Sequence, residues 1–227
     1  MARALDFDLA VFDLDGTIYM TELSVVPSIQ ETFARFGLPV PGDAEVRALI
    51  GIPTQGYRAW LKERGGELGE RIADETPRRE YELVRTRGRL FPHAREALGA
   101  LRAERCRTVL LTNAGQRYVS TVLGTFGIEP LFDEVSLFRR GESSKAERLA
   151  GVIARAGGAP AVMVGDRRFD FDAAREVGCA SVGVSYGYGG DELALADVVI
   201  DDLLELVDMR RAAKGVAPGT GGGSRGA

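Results

Sequence analysis

Lysine is nearly missing from this chain: beside 26 arginines stand three lysines, Lys62, Lys145 and Lys214. The net charge is −4 and no concentrated basic stretch occurs, so nucleic acid is not the expected partner. Cysteine is scarce as well. Cys106 and Cys179 are the only two, both in or beside apolar segments, which argues against a disulfide framework and for free thiols in a reducing cytoplasm. No apolar run approaches the roughly 20 residues that cross a bilayer, so no membrane is expected. Residues 1–8 carry two aspartates and no apolar signal core, which makes the cytoplasm the expected compartment. What remains is ordinary globular material, 45% apolar and 27% charged, enough for one large domain or a domain with a sizeable insertion.

Short apolar runs recur along the chain. They are 9–14 (LAVFDL), 107–112 (RTVLLT), 161–165 (AVMVG), 181–185 (SVGVS) and a shorter one at 197–200. Between them lie segments with helical spacing at 94–104, 116–126 and 145–156, the last two stopped by Gly127 and by Gly157-Gly158. Apolar strands alternating with amphipathic helices indicate an α/β fold, a Rossmann-like doubly wound parallel sheet covered on both faces. The stretch 18–90 differs, with several helical patterns and no convincing strand. Ile29, Phe33 and Phe36 share a face, Asp43 is placed to cap a helix carrying Val46, Leu49 and Ile50, and Pro77 is expected to interrupt or start a later helix. The expected organisation is a core of 1–17 and 91–210, an inserted α-helical cap of 18–90, and a disordered Gly-rich tail of 211–227.

The chemistry sits where the strands end. Asp13 and Asp15 are two apart at the end of the first run, which points both to one side. Two carboxylates facing one point call for a metal cation or a shared proton. Gly16 lets the backbone turn closely there, and Thr17 adds a hydroxyl. Asp166 and Asp170 follow the run AVMVG, so Asp166 ends its strand as Asp13 ends the first. Carboxylates converging at the carboxyl ends of parallel strands make an oxygen-lined site suited to Mg²⁺. Thr112 and Asn113 end the second run, where a hydroxyl and backbone N–H groups can hold an anion. Lys145 stands out because a chain that prefers arginine has kept a lysine at a helix start, where the dipole gives a cation no advantage. An ammonium on a flexible stem suits a place that must reach both a carboxylate and a phosphoryl group.

These segments, in this order, make the chain resemble the haloacid dehalogenase superfamily over nearly its whole length to about Met209. The matching residues are Asp13-Leu14-Asp15-Gly16-Thr17, Thr112-Asn113, Lys145, and Gly165-Asp166 with Asp170. Tyr186-Gly187-Tyr188-Gly189 and the segment 196–200 look like the end of its phosphoglycolate-phosphatase-like branch. The resemblance implies a phosphatase acting on a small-molecule phosphate monoester, with Asp13 as nucleophile and Asp15 as the acid and base. It implies Mg²⁺ held by Asp13, the backbone carbonyl of Asp15 and Asp166, with Asp170 supporting the site. Thr112 and the Asn113 amide would take phosphoryl oxygens, and Lys145 would balance charge between nucleophile and phosphate.

Departures narrow the reading within that superfamily. Asp15 argues against dehalogenation, which needs no acid there. Val25 stands where the hexose-phosphate mutases carry a cap histidine, and the turn Gly51-Ile52-Pro53-Thr54-Gln55 lacks both their arginine and the lysine of the phosphonate hydrolase. A phosphotransferase or phosphomutase and a catalytically silent ligand-binding member are the competing expectations. After the first motif, Ile18-Tyr19-Met20-Thr21 replaces the common Leu-x-Asp-Ser, and segment 139–145 (RRGESSK) resembles nucleotidase-like, broad-range members. In the cap, Arg47 is the expected contact for a substrate carboxylate or second phosphate. Tyr57 and Trp60 read as core residues with the substrate face as the alternative, and His93 as an exposed helix-start residue. Monomer and homodimer are both compatible with the sequence.

Overall fold

The computed structural model describes residues 3–138 and 144–216. Residues 217–227, most of the expected tail, and 139–143 of the RRGESSK segment lie outside the described residues. A six-stranded, all-parallel sheet forms the centre, in the order β3-β2-β1-β4-β5-β6. The strands are β1 (Leu9–Phe12), β2 (Arg107–Leu111), β3 (Glu134–Ser136), β4 (Ala161–Gly165), β5 (Ala180–Val184) and β6 (Val198–Ile200). This is the Rossmann-like order, with the chain reversing direction across the sheet between β1 and β4.

Alternation along β1 shows how one apolar strand serves two layers. Ala10 and Phe12 face a cluster formed with α5 (Ala94–Ala103), α6 (Gln116–Phe126) and α9 (Leu203–Lys214). Leu9 and Val11 face the opposite cluster, formed with α7 (Lys145–Arg155) and α8 (Arg168–Val177). Both faces of β1 are therefore dry, which is why it reads as an unbroken apolar run. The edge strand β3 is not visible in the sequence. It is three residues long (EVS), only partly buried, and paired on one side to β2.

Four helices fill the segment between β1 and α5: α1 (Glu22–Arg35), α2 (Asp43–Arg47), α3 (Thr54–Gly65) and α4 (Gly69–Arg87). They bury a cluster of their own around Val25, Ile29, Phe33, Leu61 and Ile72, and α4 packs on α6 of the sheet layer. No named strand occurs in this block among the described residues. Pro77 lies inside α4 instead of ending it. Proline removes the hydrogen bond to the carbonyl four residues back, here Ala73, and the Arg58 guanidinium of α3 donates to that oxygen at 2.8 Å. Asp43 opens α2 without capping it; Gly42 is the N-cap, and the Asp43 carboxylate accepts from Gln30 at 2.8 Å. At the other end of the chain, α9 runs to Lys214, beyond the boundary expected at 210 and into the segment expected to be disordered, anchored by Lys214 ion pairs to Asp6 and Asp8. No helix of the described residues is long and apolar enough to cross a membrane.

Candidate active site

Asp13 and Asp166 are each the first residue past a strand, on the neighbouring strands β1 and β4. That placement brings one carboxylate oxygen each of Asp13, Asp166 and Asp170 within 4.8 Å of one another, all three residues buried. The Lys145 ammonium enters from the first turn of α7, at 2.6 Å from Asp13 Oδ1 and 2.5 Å from Asp170 Oδ1. Its side chain is only 7% exposed. The helix start is fixed by a capping box, Ser144 Oγ accepting from Glu147 N and Glu147 accepting from Ser144 N. Asp166 Oδ2 accepts from the Tyr188 N–H at 2.6 Å, while its Oδ1 is buried without a partner among the described residues.

The turns around Asp166 have no room for side chains. Gly16 has φ of +79°, and a Cβ there would stand 2.3 Å from Asp166 Oδ2; one on Gly189 would stand 1.8 Å from the Asp166 carbonyl oxygen. Glycine at these positions is a requirement of the close approach.

Burial raises the Asp13 carboxyl to about 7, against the pull of Lys145 and with the further push of Asp170 and Asp15. Asp166 is pushed well above the usual carboxylate range, first by burial and then by Asp170 and Asp13. For Lys145, burial opposes the charged form, but Asp13 and Asp170 outweigh it and hold the ammonium protonated. The cluster thus carries more negative charge than one lysine offsets.

Asp15 does not share that point. Its Oδ1 accepts from Thr21 Oγ1 at 2.6 Å and from the Tyr118 hydroxyl at 2.7 Å. Of the expected cation or shared proton between the Asp13 and Asp15 carboxylates, the structure shows only that the Asp15 side chain stands outside the group formed by Asp13, Asp166 and Asp170; the role expected of the Asp15 backbone carbonyl is unaffected. Burial raises the Asp15 carboxyl, and the two hydroxyl donors work against it. Thr112 is buried, its hydroxyl accepting from Ala114 N at 3.0 Å. Asn113 is held by Arg148, which donates to its Oδ1 at 2.7 Å and to the Thr112 carbonyl at 2.8 Å.

Above these residues lies a cavity of about 350 Å³, with Asp13, Asp15, Thr112 and Asn113 at its core side and Tyr57 and Glu80 among the residues of the helical block that close it. The block meets the core through Asn113 Nδ2 donating to the Gly51 carbonyl, Thr54 Oγ1 donating to the Asn113 carbonyl, and the Arg167 guanidinium donating to the Ile50 carbonyl. Arg47 is not on the cavity wall. It pairs with Glu22 at 2.8 Å and Asp43 at 3.6 Å on the exposed side of α2, and the arginines on the wall are Arg58 and Arg117. Trp60 packs on Phe33, whereas Tyr57 belongs both to that apolar cluster and to the cavity. His93 is exposed, pairs with Asp202, and adopts φ of 57°, a left-handed conformation that favours glycine.

Thr21, Tyr118, Arg148 and Glu80 escaped the sequence reading. Arg148 follows Lys145 by one helical turn, a spacing that puts it on the same face of α7. Thr21 lies in the segment 18–21 noted as a departure, Tyr118 reaches Asp15 across 103 residues of chain, and Glu80 meets the cavity only through the packing of the helical block.

A family model described as a haloacid dehalogenase-like hydrolase matches residues 7–178. A phosphoglycolate phosphatase of Salmonella typhimurium is 31% identical over 225 residues, covering 86% of this chain and 89% of that protein. Among solved structures, one described as a predicted phosphoglycolate phosphatase of Haemophilus somnus aligns with a TM-score of 0.79 at 26% identity, covering 89% of this chain and 97% of its own. Protein Tyrosine Kinase A of Mycobacterium tuberculosis aligns with a TM-score of 0.70 at 28% identity, covering 93% of this chain and 99% of its own.

The raised carboxyl groups of Asp13 and Asp166 hold protons more tightly in the folded chain than in the unfolded one, where the value is 3.8. The Asp13 contribution to stability is therefore greatest below the unfolded value and is lost as pH rises through about 7, and the Asp166 contribution is lost in the same direction. A divalent cation bound among them competes with those protons. The rise in melting temperature on adding such a cation is expected to be larger at about pH 8 than at about pH 5, read by thermal denaturation. A rise that does not change with pH would place cation binding elsewhere.

Proposed function

Because this chain belongs to the haloacid dehalogenase-like hydrolases, we propose that it hydrolyses a small-molecule phosphate monoester through an aspartyl-phosphate on Asp13, with Mg²⁺ as cofactor. The observation that carries the reading is the buried Lys145 ammonium bridging Asp13 and Asp170 beside an Asp166 oxygen that has no partner among the described residues. An all-oxygen, excess-negative donor set with one oxygen unsatisfied fits a hard divalent cation. Asp13, Asp166 and the Asp15 carbonyl would hold it, with Asp170 alongside. When bound, Mg²⁺ supplies charge neutralisation for the phosphoryl oxygens.

The chain's own groups then divide the work. Lys145 occupies Asp13 Oδ1, which leaves the second oxygen to attack phosphorus. A carboxylate approaching a phosphate anion needs neutralisation and alignment more than basicity, and Lys145, Thr112 and the Asn113 amide supply them. As the ester P–O bond breaks, Asp15 gives its proton to the leaving oxygen. Burial raises the Asp15 carboxyl and so favours the protonated form that donates. Water then attacks the phosphorus of the aspartyl-phosphate, its proton returns to Asp15, and inorganic phosphate leaves with Asp13 restored. The helical block 18–90 acts as a cap that excludes bulk water and selects the leaving group. The cytoplasm is its proposed location.

The similarity to a protein tyrosine kinase favours a second reading, in which a hydroxyl acceptor instead of water opens the aspartyl-phosphate. The cavity is walled by cap and core together, which favours water over the side chain of a folded protein, and hydrolysis is kept.

Asp13→Asn is expected to lower phosphate release from a panel of esters with Mg²⁺ by at least about a thousandfold, with an unchanged circular dichroism spectrum; retained turnover would remove Asp13 as nucleophile. Tyr118→Phe removes a donor that favours the charged form of Asp15, so its carboxyl rises further. The alkaline limb of the kcat/KM profile is expected to move to higher pH, and an unmoved limb would show that Asp15 is not the proton donor.

A further inference from the structure

Among the described residues, most cap acids pair with arginine, and those without an arginine other than Glu80 are exposed or half-buried. Glu22 meets Arg47, Glu31 and Glu82 meet Arg79, and Asp74 meets Arg58. Glu80 on α4 is the contrast. It is 6% exposed, it lies on the wall of the catalytic cavity, and it has no hydrogen bond or ion pair among the described residues. In a chain with 26 arginines, a buried acid left without one is a group kept for something that enters the cavity. A second group on the same wall is in the same condition. The Tyr57 hydroxyl is buried with no well-formed hydrogen bond among the described residues; the Ser28 hydroxyl beside it donates to the Val25 carbonyl and offers it only an oxygen to approach.

We propose that Glu80 and the Tyr57 hydroxyl form the leaving-group subsite, selecting phosphate esters of neutral, hydroxyl-bearing alcohols and rejecting those whose leaving group carries a carboxylate. The proposal rests on the phosphatase reading and adds the substrate class. A hydroxyl can donate to and accept from both groups. A leaving-group carboxylate placed beside ionised Glu80 would instead meet a wall that also carries the acids at 13 and 15, an unfavourable gathering of like charges. Arg58 is committed to Asp74 and the Ala73 carbonyl, and Arg117 is exposed and stacked on Tyr81. Burial and the charge of Asp15 both raise the Glu80 carboxyl, to about 8, so above that pH it is ionised, accepting from a hydroxyl and repelling a carboxylate. Leu49, Ile52 and Pro77 supply apolar walls for the carbon chain.

Glycerol 1-phosphate and 3-phosphoglycerate differ only in a terminal hydroxymethyl or carboxylate group, so they isolate the choice. At about pH 9, where Glu80 is ionised, the wild-type protein with Mg²⁺ is expected to favour glycerol 1-phosphate in kcat/KM by at least about tenfold. Glu80→Gln is expected to shrink that ratio at least about fivefold, mainly through a lower KM for 3-phosphoglycerate. A wild-type preference for 3-phosphoglycerate overturns the proposal and needs no variant, as does a ratio unchanged in Glu80→Gln. Phosphate release from neither ester nor from p-nitrophenyl phosphate would instead overturn the phosphatase reading beneath it.

Discussion

Everything in this molecule's site depends on keeping three carboxylates and one ammonium out of water at the ends of two neighbouring strands. Asp13, Asp166 and Asp170 cannot all be ionised beside a single Lys145 without strong mutual repulsion. The arrangement therefore holds a latent demand for positive charge, which a divalent cation and the electrophilic phosphorus of an ester meet together. That demand explains why a buried lysine is tolerated: it is the fixed part of a balance whose remainder arrives with cofactor and substrate.

The surrounding structure serves that cluster. Glycines 16 and 189 bring backbone against Asp166 where no other residue fits. The Ser144 cap sets where α7 begins and so where Lys145 points. Arg148, one turn on, holds the Thr112–Asn113 turn from behind. Thr21 and Tyr118 hold Asp15 apart from the group formed by Asp13, Asp166 and Asp170, on the wall of the cavity. The separation gives the two aspartates of the first motif different neighbours, which is what the proposed division into nucleophile and acid requires.

How much of this was legible in the sequence follows from where the physical cause of each feature lies. β1, β2, β4 and β5 were legible because strands buried on both faces must be apolar throughout; β3, a three-residue edge strand, is under no such demand. Asp13, Asp166 and Lys145 were legible because strand and helix ends are local features and lysine is rare in this chain. The passage of α4 through Pro77 was not, since the compensating donor, Arg58, comes from another helix. Arg47 was expected at the site from its position near the Gly51 turn, but pairing with Glu22 and Asp43 keeps it on the outside. Glu80 and Tyr118 face the cavity only because α4 packs on α6, a contact between segments far apart in the chain.

The most direct test of the central claim is diffraction from crystals grown with Mg²⁺ and beryllium fluoride, a mimic of the aspartyl-phosphate. The account predicts one cation touching Asp13 and Asp166, with the fluoride anion on Asp13 beside the Lys145 ammonium and Thr112. A cation bound outside the three carboxylates, or an anion seated away from Asp13, would contradict it.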